Sequence, residues 1–348
     1  MRENEAARYV NAVCRELELR KNYLADAPVK TIYFGGGTPS RLTPELLGCI
    51  ISAIDSAFGL NNLQELTVEC NPDDVTLEYV TALRALGVNR ISMGVQTFNE
   101  DLLRFLNRRH TVAQALDAVR ICRESGISNI SIDLMYGLPG QTLEMFRADL
   151  ETALSANVQH ISSYCLSYED GSPLKRMLNE HKVVPATDEL CSSMFALMCQ
   201  TLRDAGFDHY EISNFCKPGY HSRHNSSYWD STPYLGLGAA AHSYNGTSRQ
   251  WNPSDLDAYM TGIEHSKPVF EVEHLSSKDL YNEKLMLSLR TAQGLNLSTL
   301  TPSDRLSVLQ SAESLISTGS LLLQNNHLQI PESQMFISDT LISTLFKS

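Results

Sequence analysis

No two of the eight cysteines form a Cys-x2-Cys pair; they are scattered at 14, 49, 70, 122, 165, 191, 199 and 216. Without a secretion signal they read as reduced, mostly core thiols of a cytoplasmic protein, not as a disulfide framework. No apolar run approaches a membrane span, and Met-Arg-Glu-Asn-Glu is not a signal peptide. Basic charge is scarce too: 28 Lys and Arg stand against 40 Asp and Glu, a formal net charge of −12. With no overall basic field to attract phosphates, the balance argues against a general nucleic-acid binder. The triple glycine at 35–37 has neither GxGxxG spacing nor a following Lys-Ser/Thr, so nucleotide-phosphate readings are weak.

What is present is an ordinary globular composition, 43% hydrophobic and 20% charged, over 348 residues. That length suits two or three packed units. Ile32, Tyr33 and Phe34 are β-branched or aromatic and Val29 precedes them, so 29–34 predicts a buried strand. Gly35, Gly36 and Gly37 then remove every Cβ where the strand ends, which lets backbone approach a ligand closely. Thr38 and Pro39 follow, and Thr43-Pro44 predicts a capped helix start.

Strand and helix then alternate. An amphipathic helix is expected at 5–22 and further strands at 66–70, 90–95, 130–134 and 161–166. Thr76, Asn99, Thr111 and Thr142 are the expected helix caps between them. This alternation implies right-handed crossovers and a parallel sheet. Five strands are too few for a closed eight-stranded barrel, so an open, splayed barrel is expected. Thr38, Glu69, Gln96, Asp133 and Tyr168 each sit just where a strand ends. In a parallel sheet those ends share one rim, and five in succession point to a ligand site.

Beyond about 170 the pattern changes. A helix is expected at 185–205 and a short strand at 207–212, whereas 216–251 is rich in Gly, Tyr, His and Ser with little periodicity. There, His221-Ser222-Arg223-His224-Asn225-Ser226-Ser227-Tyr228-Trp229 reads as a loop, with His242 a short way on. Such a loop either packs locally or offers an imidazole and stacking rings to a large flat ligand. Helices at 281–291, 303–318 and 339–346, with a hairpin over 321–330 turning at Asn325-Asn326, suggest a winged-helix-like unit. It carries few basic residues, so packing or docking suits it better than DNA reading. The expected divisions are 1–175, 176–268 and 269–348.

Together, Tyr33-Phe34-Gly35-Gly36-Gly37-Thr38-Pro39-Ser40, Glu69-Cys70-Asn71-Pro72, Ser92-Met93-Gly94-Val95-Gln96-Thr97-Phe98 and the run from Asp133 to Thr142 resemble the coproporphyrinogen-dehydrogenase-like radical SAM proteins. The resemblance spans essentially the whole chain. His224-Asn225-Ser226-Ser227-Tyr228-Trp229 is similar to the HNxxYW motif of the HemW-type heme chaperones in that group. The resemblance implies a partial α/β barrel and a site for S-adenosylmethionine (SAM). Gly35, Gly36, Gly37 and Thr38 would line the methionine amino group, and Glu69 would hydrogen-bond the same molecule. Gln96 and Asp133 would serve the ribose hydroxyls, and Met135 would pack on the adenine. Arg108, or its neighbour Arg109, would meet the methionine carboxylate, for which a planar fork is suited. His224, Tyr228 and Trp229 would serve heme, with His224 as iron ligand and His221 or His242 as substitutes.

The resemblance also implies a [4Fe–4S] cluster on a Cys-x3-Cys-x2-Cys loop, a spacing found nowhere in this sequence. The expectation is that the family's first strand and cluster loop lie outside these residues, and that this chain alone generates no radical. Heme binding and delivery to an acceptor protein is therefore expected ahead of catalysis. The alternatives are oxygen-independent oxidation of coproporphyrinogen III to protoporphyrinogen IX, and tRNA or protein modification.

Overall fold

The structure is a computed structural model that describes residues 3–347 except 26 and 268. Its centre is a curled, open half-barrel of seven strands, in the order β1-β2-β3-β4-β5-β7-β6. Strands β1 (Thr31–Phe34), β2 (Glu65–Cys70), β3 (Arg90–Gln96), β4 (Asn129–Tyr136) and β5 (His160–Cys165) run parallel. β6 (Asp208–Glu211) and β7 (Asn214–Cys216) form a hairpin whose second arm pairs antiparallel with β5. The five parallel strands match the expected ones to within a few residues. The hairpin's place in the sheet was not foreseen, because Asn-Phe-Cys is too short to show a period.

The helix starts form as their capping residues dictate. Thr43, Thr76, Asn99, Thr111 and Thr142 each accept a backbone N–H from the first turn they precede, and Pro44 stands at the first helical position. Burial of apolar side chains between sheet and helices supplies the driving force. Ile32, Leu66, Val68, Ile91, Met93, Ile130, Ile132, Leu134 and Ile161 all project to the helical side and are buried. Residues between them project the other way, so Thr31 pairs with Glu65, Thr67 with Arg90, Glu69 with Ser92 and Asp133 with Ser162. The concave face is thus polar from floor to rim.

The helices Ser277–Ser288, Pro302–Ser317 and Ser338–Ser343 accompany a small sheet of Leu295–Asn296, His327–Gln329 and Leu322–Gln324. Its hairpin turns at Asn325 and Asn326, both with positive φ, as two-residue hairpins require. This C-terminal part shares one continuous apolar cluster with the half-barrel, from Val10 to Leu345. Backbone bonds from Ile212 to Arg290 and from Ala292 to Tyr210 tie it to β6. Among the described residues no helix is long and apolar enough to cross a membrane.

Candidate functional site

The rim begins where β1 runs into its glycines. A Cβ on Gly35 would lie 2.5 Å from the Tyr33 ring and 2.8 Å from Glu69 Oε1, so only glycine fits. Gly36 has φ +81° and donates its N–H to Glu69 Oε2 at 3.2 Å. The Tyr33 hydroxyl donates to Glu69 Oε1 at 2.7 Å. Gly36, Gly37 and Thr38 themselves are open to solvent. Ser40 bridges this turn to the next one: its hydroxyl donates to Asp74 at 2.7 Å and accepts from the Asn71 backbone at 3.2 Å.

Asp133 sits on the concave face of β4, beside Ser162 on β5 and near Ser92 on β3. Burial raises its pKa to about 6, the hydroxyls of Ser162 and Ser92 opposing and the Glu69 carboxylate adding repulsion. Met135 lies two residues further up the same face, in register with Tyr164. Gln96 ends β3 with φ +73°, an uncommon conformation for a residue with a side chain. What holds it is Asp149 on the helix Leu143–Ser155. That buried carboxylate accepts the Thr97 hydroxyl at 2.8 Å and the Phe98 N–H at 2.6 Å. Strained backbone fixed by a buried anchor is a recurring feature of ligand sites.

Arg108 is half-buried and donates through Nη2 to Asn71 Oδ1 and to the Gly94 carbonyl, both at 2.8 Å. Burial lowers its pKa, most of all by desolvation. Arg109 is exposed and already paired with Asp73 at 2.9 Å and Asp74 at 3.3 Å. The two neighbouring arginines therefore differ: Arg108 is held by neutral oxygens, Arg109 by two carboxylates. A cleft of about 500 Å³ opens here, lined by Thr38, Arg41, Asn71 and Arg109.

The run 223–229, read as a loop from its composition, is a seven-residue helix, Arg223–Trp229. Ser222 caps it, and Glu65 at the floor of β2 accepts the first two N–H groups, from Arg223 at 2.9 Å and His224 at 3.0 Å. A buried carboxylate at a helix N-terminus stabilises that helix through hydrogen bonds and charge. No period in the sequence announces this, because the anchor lies 158 residues away. His224 stacks on Tyr33 with centroids 4.8 Å apart. Its Nδ1 is 2.9 Å from the Thr31 hydroxyl and its Nε2 is 3.0 Å from the Tyr228 hydroxyl. Burial lowers its pKa to about 4, leaving a neutral ring at ordinary pH.

The expected substitutes for His224 stand elsewhere. His221 lies edge-on to Tyr210 at 4.6 Å, and His242 lies over Trp251 at 6.3 Å. Trp229 ends the short helix, half-buried, and Tyr168 lies past β5 with its buried hydroxyl unpartnered among the described residues. Sequence reasoning missed Tyr33, Glu65 and Asp149 as groups that hold the site's residues in place. The visible signal was the alternation Glu65-Leu66-Thr67-Val68-Glu69, whose polar half lines the concave face.

A [4Fe–4S] cluster requires several converging thiolates. Among the described residues the only group of three metal-ligating side chains is Cys199, His209 and Glu332. Cys165 and Cys191 are hydrogen-bonded neighbours, but no third thiol joins them. The described residues do not fit the cluster. The rim does fit SAM: a turn where one Cβ is excluded, a half-buried guanidinium bonded directly to neutral oxygens, and an acidic group amid hydroxyls.

Residues 11–153 match the family model described as the Radical SAM superfamily. Coproporphyrinogen III oxidase (HemN) from Escherichia coli has the same fold, with a TM-score of 0.84 and 21% identity over 100% of this chain and 85% of that one. This is the architecture of a radical SAM half-barrel. The heme chaperone HemW of Lactococcus lactis is 38% identical over 76% of this chain and 70% of its own length. That of Mycobacterium tuberculosis is 32% identical over 97% of this chain and 86% of its own. The chain belongs to the HemW family of radical SAM proteins.

Proposed function

We propose that this protein binds SAM at the strand-end rim and takes up heme for delivery to an acceptor protein in a reducing, cytoplasmic setting. The observation that carries the reading is the gathering of Glu69, Gln96, Asp133 and Arg108 around the bare turn at Gly35–Thr38. The named activity of the relatives, heme chaperone, supplies the cargo.

In this reading the glycine turn and Glu69 receive the SAM ammonium, because carbonyls and a carboxylate are the natural partners of a cation. Asp133 and Gln96 accept and donate to the ribose hydroxyls, Met135 covers the adenine, and Arg108 takes the carboxylate. SAM is the family's source of a carbon radical when it sits on a cluster. The residues named here bind and orient it. His224, with Tyr228 and Trp229, serves the heme. Its Nε2 becomes available to iron once the exposed Tyr228 hydroxyl swings aside, and the neutral ring supplies the required lone pair.

The test is hemin titration of the purified chain, followed by Soret absorption against an unrelated acidic protein. Saturable uptake with a shifted Soret band is expected, and His224→Ala should change the ligation spectrum. Uptake no better than the control would overturn heme binding. An unchanged His224→Ala spectrum would overturn the axial role alone.

A further inference from the structure

Away from the rim, where β6 meets the C-terminal part, three metal-ligating side chains converge. Cys199 lies on the helix Asp188–Asp204, His209 on β6, and Glu332 at the start of the 3-10 turn Glu332–Ile337. Their ligand atoms all lie within 4.8 Å of one another. Cys199 Sγ is 3.9 Å from His209 Nδ1, and that nitrogen is 2.9 Å from Glu332 Oε1. We infer that Cys199, His209 and Glu332 form a binding site for a divalent zinc-like cation, placed to join the half-barrel wall to the C-terminal part.

The spacing suits the ion. Zinc bonds nitrogen, oxygen and sulfur at roughly 2.0–2.3 Å, which puts tetrahedral ligand atoms about 3.3–3.7 Å apart. The observed 2.9 and 3.9 Å bracket that range. Cys-His-carboxylate is a borderline-soft donor set of the kind zinc accepts, with a fourth position left for water.

The ring also has a partner in place for its metal-bound tautomer. A neutral imidazole carries one N–H, yet both nitrogens of His209 face oxygen acceptors: Glu332 at Nδ1 and the Ile212 carbonyl at Nε2, 3.4 Å away. Without a metal the 2.9 Å contact is a hydrogen bond from Nδ1–H to Glu332; when the proton moves to Nε2, that nitrogen donates to Ile212 and the Nδ1 lone pair is free for an ion. A carbonyl holding the far N–H is how metal-bound histidines are commonly oriented. The ring itself is fixed, stacked on Phe215 at 4.0 Å and flanked edge-on by Phe195 at 6.0 Å.

Arg203, one helical turn beyond Cys199, makes an ion pair with Glu332 and is half-exposed. It supplies positive charge in the metal-free form and can withdraw to solvent when a metal arrives. The thiol then releases its proton to water as the sulfur bonds the ion.

The experiment uses the full chain, stripped with a chelator and titrated with Co2+ and then Zn2+. Thiolate-to-cobalt charge-transfer absorption, displaced by a single zinc per chain in equilibrium dialysis, is expected. Cys199→Ser should abolish the charge-transfer band, and Glu332→Gln should weaken zinc binding about 10-fold or more. Arg203→Ala, a change at a half-exposed position that spares the fold, should tighten zinc binding several-fold. A cobalt spectrum untouched by Cys199→Ser would overturn the site, since other thiols would then be the ligands. So would zinc affinity that Arg203→Ala leaves unchanged, or a stoichiometry well below one.

Discussion

The floor and the rim of the half-barrel are built from the same strands and carry the same kinds of residue, yet they treat them oppositely. At the floor, Glu65 gives both carboxylate oxygens to a helix start. There His160 is fully buried, with Ser131 at 2.7 Å and Tyr210 at 2.8 Å on its two nitrogens. At the rim, Asp133 bonds serine hydroxyls and feels Arg90 only at a distance, Arg108 bonds neutral oxygens with Asp73 only nearby, and the glycine turn faces solvent. Inward polarity alone does not mark a binding site. The proposed site lies where polar groups lack a strong internal partner and are reachable from solvent; Arg90 at the floor also has unpartnered nitrogens but is sealed from any ligand.

The comparison breaks most readily at Glu65. Glu65→Ala removes the carboxylate acceptor of two part-buried N–H groups and should destabilise the fold by about 3 kcal/mol. Urea denaturation reads this, and SAM affinity corrected for the folded fraction should stay within about two-fold. A stable Glu65→Ala chain would mean that the floor is not structural.

Asp133 is the converse. Asp133→Ala should weaken SAM binding by about 2 kcal/mol in calorimetry while leaving the melting temperature equal or raised. Because its carboxyl titrates near 6, SAM affinity should rise as pH climbs through 6 and level off above it. Stability runs the other way. An unfolded Asp titrates near ~3.9, so between about 4 and 6 the folded chain holds the extra proton, and stability falls as pH rises. Asp149, also raised to about 6, adds to that stability slope but not to the binding profile. A binding profile unchanged by Asp133→Asn would remove Asp133 from the site.

The smallest effect separates the two arginines. Arg108→Lys should weaken SAM by about 1 kcal/mol through loss of the planar fork, whereas Arg109→Lys should change it by less than about 0.5 kcal/mol. Equal losses would put the carboxylate between them.

How much of this could be read from the residues follows from how local each cause is. The parallel strands, the five capped helix starts and the Asn325-Asn326 hairpin depend on near neighbours, and all were legible. The rim was legible as a series of strand ends. The helix at 223–229 was not, because its anchor, Glu65, is distant in sequence. Nor was Asp149, which looks like an ordinary helical surface acid until Thr97 and Phe98 are seen to bond it. Tyr33 was read as one more strand residue, although its hydroxyl holds Glu69 and its ring supports His224.

Tyr33 has a thermodynamic consequence. Its hydroxyl is held by Glu69 at the rim, and its ring is the platform on which His224 rests. In the proposed reading, a ligand drawing the Glu69 carboxylate toward itself would loosen the hydroxyl and so alter the surface beneath the imidazole. Linkage makes such coupling reciprocal: whatever factor SAM applies to heme affinity, heme applies to SAM. Under the proposed function, this one phenol ring would make occupancy of either site felt at the other.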